Sequence, residues 1–326
     1  MRILVTGGAG FIGSHLTEAL LKNGHKVSIV DDLSTGRMKN IKHLTGNKNL
    51  VFYKGTVLDE KLMKKLVFGS DFIYHLAAAV GVKYIIDNPL KSIQTNVKGT
   101  EIVLELASRH FSKKPGKILM TSTSEIYGKN EHIPFKEEDD RLLGSTTKSR
   151  WSYSCSKALD EFLALAYYRE KRLPITIVRL FNTCGPRQVG DYGMVIPRFI
   201  LQALCNKPIT VYGNGRQTRS FLYVKDAVDA MISLSKNKKA EGEIFNIGSP
   251  ERVTIEGLAH RIIAITNSKS KVKHVPYEKV YKNGFEDMHH RLPETSKARK
   301  FINFRPKYQL REILEKMAED VKRDLK

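Results

Sequence analysis

The chain has 326 residues, enough for two domains or one large one, and carries a formal net charge of +21. Its 41% hydrophobic and 27% charged content is that of an ordinary globular protein, and no apolar run approaches the ~20 residues of a membrane span. The basic residues lie in separate segments (Lys61–Lys65, Lys236–Lys239, Lys269–Lys273, Lys297–Lys300) without a basic-aromatic stripe, so they read as a solvated surface that helps attract an anionic substrate, not as a nucleic-acid site.

In chain order, Met1–Val5 is an apolar run with the length of a buried strand. Thr6-Gly7-Gly8-Ala9-Gly10-Phe11-Ile12-Gly13 follows, then a helix over Ser14–Asn23 with apolar residues at Leu16, Ala19, Leu20 and Leu21, stopped by Gly24. A second strand, Lys26–Val30, ends in Asp31-Asp32. Such a strand, glycine turn, helix, strand and acid bind a dinucleotide. Gly7 permits the tight turn, Gly10 lets the backbone approach a pyrophosphate, and Gly13 lets the helix pack close to the sheet. The pyrophosphate rests on the helix N-terminus, beside Phe11 and Ile12. A carboxylate at Asp31 accepts from a ribose diol and repels a 2′-phosphate, so NAD is expected over NADP. The early glycine turn also argues against a signal peptide. Cys155, Cys184 and Cys205 form no CxxC pair, which points to a reducing cytoplasm and no metal site.

Further on, Leu50–Tyr53, Phe72–Leu76, Lys117–Thr121 and Ile175–Leu180 read as strands, and Pro89–Arg109 and Ser152–Lys171 as long helices. Glu131–Trp151 reads as a polar loop over the site. The alternation predicts an α/β protein with a doubly wound parallel sheet, whose ligands bind at strand C-terminal ends. Leu76, Ala77 and Ala78 fall at one such end, where small residues suit a flat cofactor. Ser122–Glu125 falls at another. His75 reads as a packed core residue. Regular alternation fades after Asn182 into the turn-rich Gly185–Gln188, Tyr192-Gly193 and Tyr212–Gly215. A smaller C-terminal α+β substrate domain is therefore expected over 183–326, behind a dinucleotide-binding domain over 1–182. A segment near 220–250 returns to the sheet through Phe245–Gly248, and Thr254–Thr266 and Glu312–Lys322 are expected as helices.

Tyr153 and Lys157 stand four apart and so share one helical face. A free phenol, with a pKa near ~10, is a poor base at neutral pH. A neighbouring ammonium, or an oxidised nicotinamide, lowers that value. Lys157 can also hold the nicotinamide ribose, and Ser124 offers a hydroxyl to the same substrate oxygen. Together these make a proton-abstracting site beside a hydride acceptor.

On these residues the chain resembles the extended short-chain dehydrogenase/reductase family of nucleotide-sugar epimerases, dehydratases and decarboxylases, with a Rossmann-like fold. The likeness rests on Thr6–Gly13, Asp31, His75-Leu76-Ala77-Ala78, Asn96 with Gly99-Thr100, Ser122–Gly128, Tyr153/Lys157, Arg179–Asn182, Gly185-Pro186-Arg187 and Tyr212–Phe221, and covers essentially the whole chain. It implies a tightly held NAD, a UDP-sugar substrate and a homodimer built on the two long helices. Asn182, Arg187, Arg219 and Arg291 are then candidates for binding the substrate. Thr56 is a departure, since the family usually carries Asp there, against the adenine. Dehydratases carry an Asp-Glu pair where this chain has Ser124-Glu125. UDP-glucuronate decarboxylases resemble it in Thr123-Ser124-Glu125 and Arg291-Leu292-Pro293, which assigns Glu125 and Arg291 to carboxylate handling and to protonation at C5. The Ala78–Val82 stretch and Ser154 after the tyrosine look instead like a 4-epimerase. The favoured expectation is UDP-glucuronate decarboxylation to UDP-xylose, with UDP-sugar 4-epimerisation as the alternative. A non-catalytic dinucleotide- or RNA-binding protein is a more distant one.

Overall fold

The structure, a computed structural model, describes residues 1–190, 194–280 and 286–325; the Tyr192-Gly193 turn lies outside them. Its first half runs β1 (Arg2–Thr6), α1 (Phe11–Lys22), β2 (Lys26–Asp31), β3 (Leu50–Lys54), α2 (Glu60–Phe68), β4 (Phe72–His75), α3 (Val82–Asp87), α4 (Pro89–Phe111), β5 (Lys117–Thr123), α5 (Ser152–Lys171) and β6 (Ile175–Leu180). The second half contributes β7 (Thr183–Cys184), α6 (Val195–Leu204), β8 (Ile209–Tyr212), β9 (Thr218–Ser220), β10 (Leu222–Tyr223), α7 (Val224–Lys236), β11 (Ile244–Ile247), β12 (Arg252–Thr254), α8 (Ile255–Thr266), β13 (Val272–Val275), α9 (Ser296–Ile302) and α10 (Leu310–Asp324).

Seven strands form one sheet in the order β11-β6-β5-β4-β1-β2-β3, and every pair is parallel. Parallel strands covered by helices on both faces read as continuous apolar runs, as Leu4, Val5, Ile73, Tyr74, Ile118, Leu119 and Ile177 do, all buried. The order reverses between β1 and β4, which opens a crevice at the C-terminal ends of the strands. β11 pairs with β6 as Phe245 with Val178 and Ile247 with Leu180. The remaining strands form three two-stranded pairs, β7–β10, β8–β13 and β9–β12. Of these, β8, β12 and β13 pack against α8, and α6, α8 and α10 pack on one another.

Local chemistry sets the helix ends. Pro89 stands in the first turn of α4. Asp59 accepts from the Leu62 N–H at the start of α2, and Thr254 from the Gly257 N–H at the start of α8. Gln309 and Glu312 form a capping box on α10. Two contacts tie α5 to the sheet and to the turn that follows β5. Arg179 on β6 forks onto Glu161 at 3.0 and 2.8 Å, and Ser154 Oγ donates to the Glu125 carbonyl at 2.8 Å. Tyr153 and Lys157 therefore stand on an anchored helix.

Several helices escape the periodicity of the sequence. In α2, three lysines mask the buried Met63, Leu66 and Val67. α6 is apolar nearly all round, with Pro197 in its first turn. α7 buries Asp226, which accepts from the Lys307 N–H at 3.0 Å, so its polar residues do not mark its solvent face.

Candidate active site

One cleft of about 440 Å³ runs along the C-terminal edge of the sheet. Gly7, Gly10, Phe11, Ile12 and Asp31 wall one end of it, and Leu76, Ala77 and Ala78 the middle. Ser124, Glu125, Tyr153, Lys157, Asn182, Arg219 and Arg291 wall the other end.

At the β1–α1 end the walls are largely backbone. Gly7 has φ +71°, and a Cβ there would stand 3.0 Å from the Ala77 nitrogen. A Cβ on Gly13 would run into the Gly7 carbonyl. Gly13 lies behind the loop and not on the cleft wall, so it supports the turn by close packing. The first turn of α1 has no side-chain cap, which leaves amide donors for an anion. Asp31 accepts from the Ala9 N–H and the Leu33 N–H, each at 2.9 Å. Burial pushes its carboxyl up, against the pull of those two donors. Thr56 lines the same end, and its hydroxyl accepts from the Leu58 N–H at 3.3 Å.

The middle is held by side chains the cleft does not need chemically. Thr6 Oγ1 accepts from the N–H groups of Leu76 and Ala77 at 3.1 and 3.0 Å. Asn96 Oδ1 accepts from the Ala79 N–H at 2.7 Å. His75 is buried between Thr6 and Thr100 at 2.8 and 3.2 Å. Burial, with a further push from Lys157, lowers its pKa to about 3, so it is the neutral packed residue expected.

The far end is charged. Tyr153 is 9% exposed and Lys157 3% exposed. The expectation of a lowered phenol pKa needs correction. Burial pushes Tyr153 up, the charges of Glu125 and Asp160 push the same way, and a hydrogen bond to the Thr123 side chain pulls down. The Lys157 ammonium is turned to Asp160, donating at 2.8 Å inside the fold. A lysine matched by its own carboxylate is a weak acidifier of the phenol.

Glu125 pairs through one oxygen with Arg150 and through the other with Arg291 at 3.3 Å. Burial alone would raise this carboxyl, but the two guanidiniums hold it at about 2. While both arginines hold it, Glu125 is a fixed anion and donates no proton to C5, which corrects that part of its expected role. Arg219 forks onto Asp287 at 2.9 and 3.0 Å and also donates to the Thr218 carbonyl. It pairs with an acid, but inside the cleft and not at the surface. Asn182 donates to the Ser220 carbonyl at 3.0 Å.

Arg187 does not wall the cleft. Its guanidinium pairs with Glu18 on α1 at 2.6 Å and reaches Ser14, while its backbone N–H donates to Asp320. It pins the chain to the outer side of α1, and its expected place against the substrate is corrected. The arginine at this end that sequence patterns do not single out is Arg150, which lies in a polar loop. The only local signal for it is its position three residues before Tyr153.

The GDP-mannose 4,6 dehydratase family profile matches residues 4–317. A UDP-N-acetyl-alpha-D-glucosaminuronate decarboxylase of Bacillus cytotoxicus is 47% identical over 306 residues, 94% of this chain and 92% of the relative. UDP-glucuronic acid decarboxylase 1 of Arabidopsis thaliana is 37% identical over 322 residues, 98% of this chain and 69% of the relative. Among solved structures, the UDP-glucuronic acid 4-epimerase of Bacillus cereus, in complex with UDP-glucuronic acid and NAD, superposes with a TM-score of 0.88 at 30% identity over 99% of both chains. The glycine loop, the acid at the tip of β2 and the Tyr153/Lys157 helix thus stand in a chain that belongs to the GDP-mannose 4,6 dehydratase-like family, within the extended short-chain dehydrogenase/reductases.

Proposed function

We propose that this chain is an NAD-dependent decarboxylase of a UDP-hexuronate, UDP-glucuronate or its 2-acetamido counterpart. The contact between Glu125 and Arg291 beside Tyr153 is the observation that carries this reading. A 4-epimerase needs neither side chain; it needs room for the keto sugar to turn over. Decarboxylase relatives at 47% and 37% identity support the same reading. The solved 4-epimerase in complex with UDP-glucuronic acid favours the alternative, interconversion at C4 of the same class of substrate.

The backbone cradle at Gly7 and Gly13 and the uncapped start of α1 fit a dinucleotide, and the Asp31 carboxylate fits an unphosphorylated ribose, hence NAD. When bound, NAD accepts the C4 hydride and returns it to the same carbon. With the positive nicotinamide lowering the phenol that burial raises, Tyr153 would take the O4 proton, Ser124 holds O4 and Lys157 holds the nicotinamide ribose. The resulting ketone stands β to the sugar carboxylate. The C5–C6 bond breaks, carbon dioxide leaves, and the electron pair passes through C5 to O4 as an enolate. Water supplies the proton that enters at C5, Glu125 holds Arg291 in place for that step, and Tyr153 returns the O4 proton as the ketone is reduced. Arg291 holds the carboxylate before it leaves, and Arg219 and Asn182 take the diphosphate.

In this reading residues 1–182, with the segment near 220–250, bind NAD, and 183–326 mainly bind the nucleotide sugar. The occupant of the outer face of α4 and α5 is a second copy of the chain. Leu90 (68% exposed), Ile93, Leu159 and Phe162 (60% exposed) project there. The three cysteines are free thiols and no described helix is long and apolar enough to cross a membrane, which supports work in the cytoplasm. Glu125→Gln tests the reaction. NAD reduction by the substrate should stay detectable while UDP-xylose formation falls by about two orders of magnitude; unchanged carbon dioxide release would remove Glu125 from the chemistry.

A further inference from the structure

Tyr153, Lys157 and Asp160 stand four and then three residues apart on α5, so their side chains share one face of the helix. Tyr153 and Lys157 wall the cleft, and Asp160 lies behind them. Lys157 donates to Asp160 Oδ2 at 2.8 Å, with the two side chains 3% and 0% exposed. The Thr100 side chain of α4 lies against the same carboxylate and meets His75 at 3.2 Å. A carboxylate this deep is costly unless it is paired, and no step of the mechanism uses it.

The charges around this face are accounted for. His75 on β4 has a pKa lowered to about 3 and is neutral at working pH. Glu161, beside Asp160, is forked by Arg179 of β6. Glu125, in the turn after β5, pairs with Arg150 and Arg291, and Glu125 and Arg291 press on the phenol in opposite senses. Glu101 and Glu105 of α4 act on Tyr167, further along α5.

The chemistry gives the buried pair a task. Oxidation at C4 sends a hydride to the nicotinamide, which loses its positive charge, and the O4 proton to the Tyr153 phenolate, which loses its negative charge. The alcohol becomes a ketone, and the charge summed over phenol and cofactor is zero before and after. Tyr153 must then keep that proton until the ketone is reduced. An unmatched ammonium beside it would favour the phenolate in both halves of the cycle and weaken the acid needed in the second. Matched by Asp160, Lys157 can still donate to a ribose hydroxyl while the pair brings no net charge to the phenol.

We propose that Asp160 is a positioning residue that matches Lys157 so that the protonation of Tyr153 follows the charge of the nicotinamide: phenolate, a base, beside the oxidised ring, and phenol, an acid, beside the reduced one. The inference rests on the proposed use of Tyr153 at O4, a step that decarboxylation and 4-epimerisation share.

The phenolate absorbance of Tyr153 tests it, read as the ultraviolet difference between each protein and its Tyr153→Phe counterpart across pH. NAD-loaded protein is titrated as prepared and again after borohydride reduction of the bound cofactor. In the wild type the midpoint should rise by about one pH unit or more on reduction. Asp160→Asn should lower the midpoint in both states by about one unit or more, a gain of about tenfold in phenolate below the midpoint, and Asp160→Glu should restore most of the wild-type value. A role in fold maintenance alone would move the melting temperature and leave the midpoints in place. Smaller shifts in Asp160→Asn, or a wild-type midpoint that ignores reduction, overturn the proposal. If Asp160→Asn folds poorly, the double variant Asp160→Asn/Lys157→Met decides, because it buries no unmatched charge. Its midpoints should stay within about half a unit of the wild type, and a larger shift overturns the proposal. No sugar nucleotide is present in these titrations, so absence of carbon dioxide release in a separate assay overturns the decarboxylase reading and leaves this one standing.

Discussion

At the β1–α1 end of the cleft the walls are backbone set by a glycine loop, whereas at the Tyr153 end they are charged side chains. The first end draws its cradle from the first thirty-two residues, and steric closeness holds its shape. The second gathers Glu125, Arg150, Arg219, Asp287 and Arg291 from four separate stretches, and charge balance holds it. A backbone cradle presents the same groups whatever happens at the sugar. A balanced cluster responds when a charged ligand enters it. The comparison assigns cofactor retention to one end, and selection and chemistry to the other.

The largest effect that separates the two ends is expected from Tyr153→Phe. Turnover should fall about 10²–10⁴-fold, while the ratio of 260 to 280 nm absorbance still reports bound NAD. Loss of the cofactor together with activity would mean the two ends are not independent.

Arg219→Ala comes next. It removes a charge-assisted contact worth about 1.5–3 kcal/mol from the diphosphate side, so KM should rise by about tenfold or more with NAD still bound. Because Arg219 also holds Asp287, an unchanged KM would assign it to fold maintenance alone.

A smaller effect belongs to the cofactor end. Asp31→Ala should relax the preference for NAD over NADP, measured by competition on the purified protein, without changing selectivity among UDP-sugars. Equal affinity of the wild type for both dinucleotides would contradict the role given to Asp31.

The smallest effect sharpens the electrostatic half. Glu125 is held at about 2, below its ordinary 4.5. A depressed carboxyl contributes stability that is present above 4.5 and lost as pH falls through that range toward 2. The melting temperature of the wild type should therefore exceed that of Glu125→Gln near neutrality, and the gap should narrow on acidification. A gap independent of pH would deny the ion pairs with Arg150 and Arg291.

The same contrast explains what the sequence discloses. Gly7, Gly10 and Asp31 are legible because their work depends on spacing along a short stretch, and spacing survives in one dimension. Tyr153 and Lys157 are legible through the turn of one helix. The sheet is legible because its strands are apolar throughout. Arg150 and Asp287 are not, since a charged residue in a polar loop looks solvated until the loop folds over a buried acid. Arg187 misleads for the converse reason: beside a turn it resembles an anion anchor, yet Glu18, 169 positions away, claims it. Lys157 is legible in position but not in its pairing, because nothing in the sequence marks Asp160, three residues on, as the carboxylate it meets. Helices α2 and α7 were hidden by lysines that lie over apolar positions and by a buried aspartate.

Decarboxylation is tested most directly by one incubation: NAD-loaded protein with UDP-glucuronate and, separately, with its 2-acetamido counterpart, followed by mass spectrometry and carbon dioxide capture. The expected product is lighter than substrate by one carbon dioxide, UDP-xylose from UDP-glucuronate or the acetamido pentose from its counterpart, with the gas recovered in equal amount. Recovery of unchanged mass, with the sugar inverted at C4 and no gas released, would contradict decarboxylation and establish the epimerase.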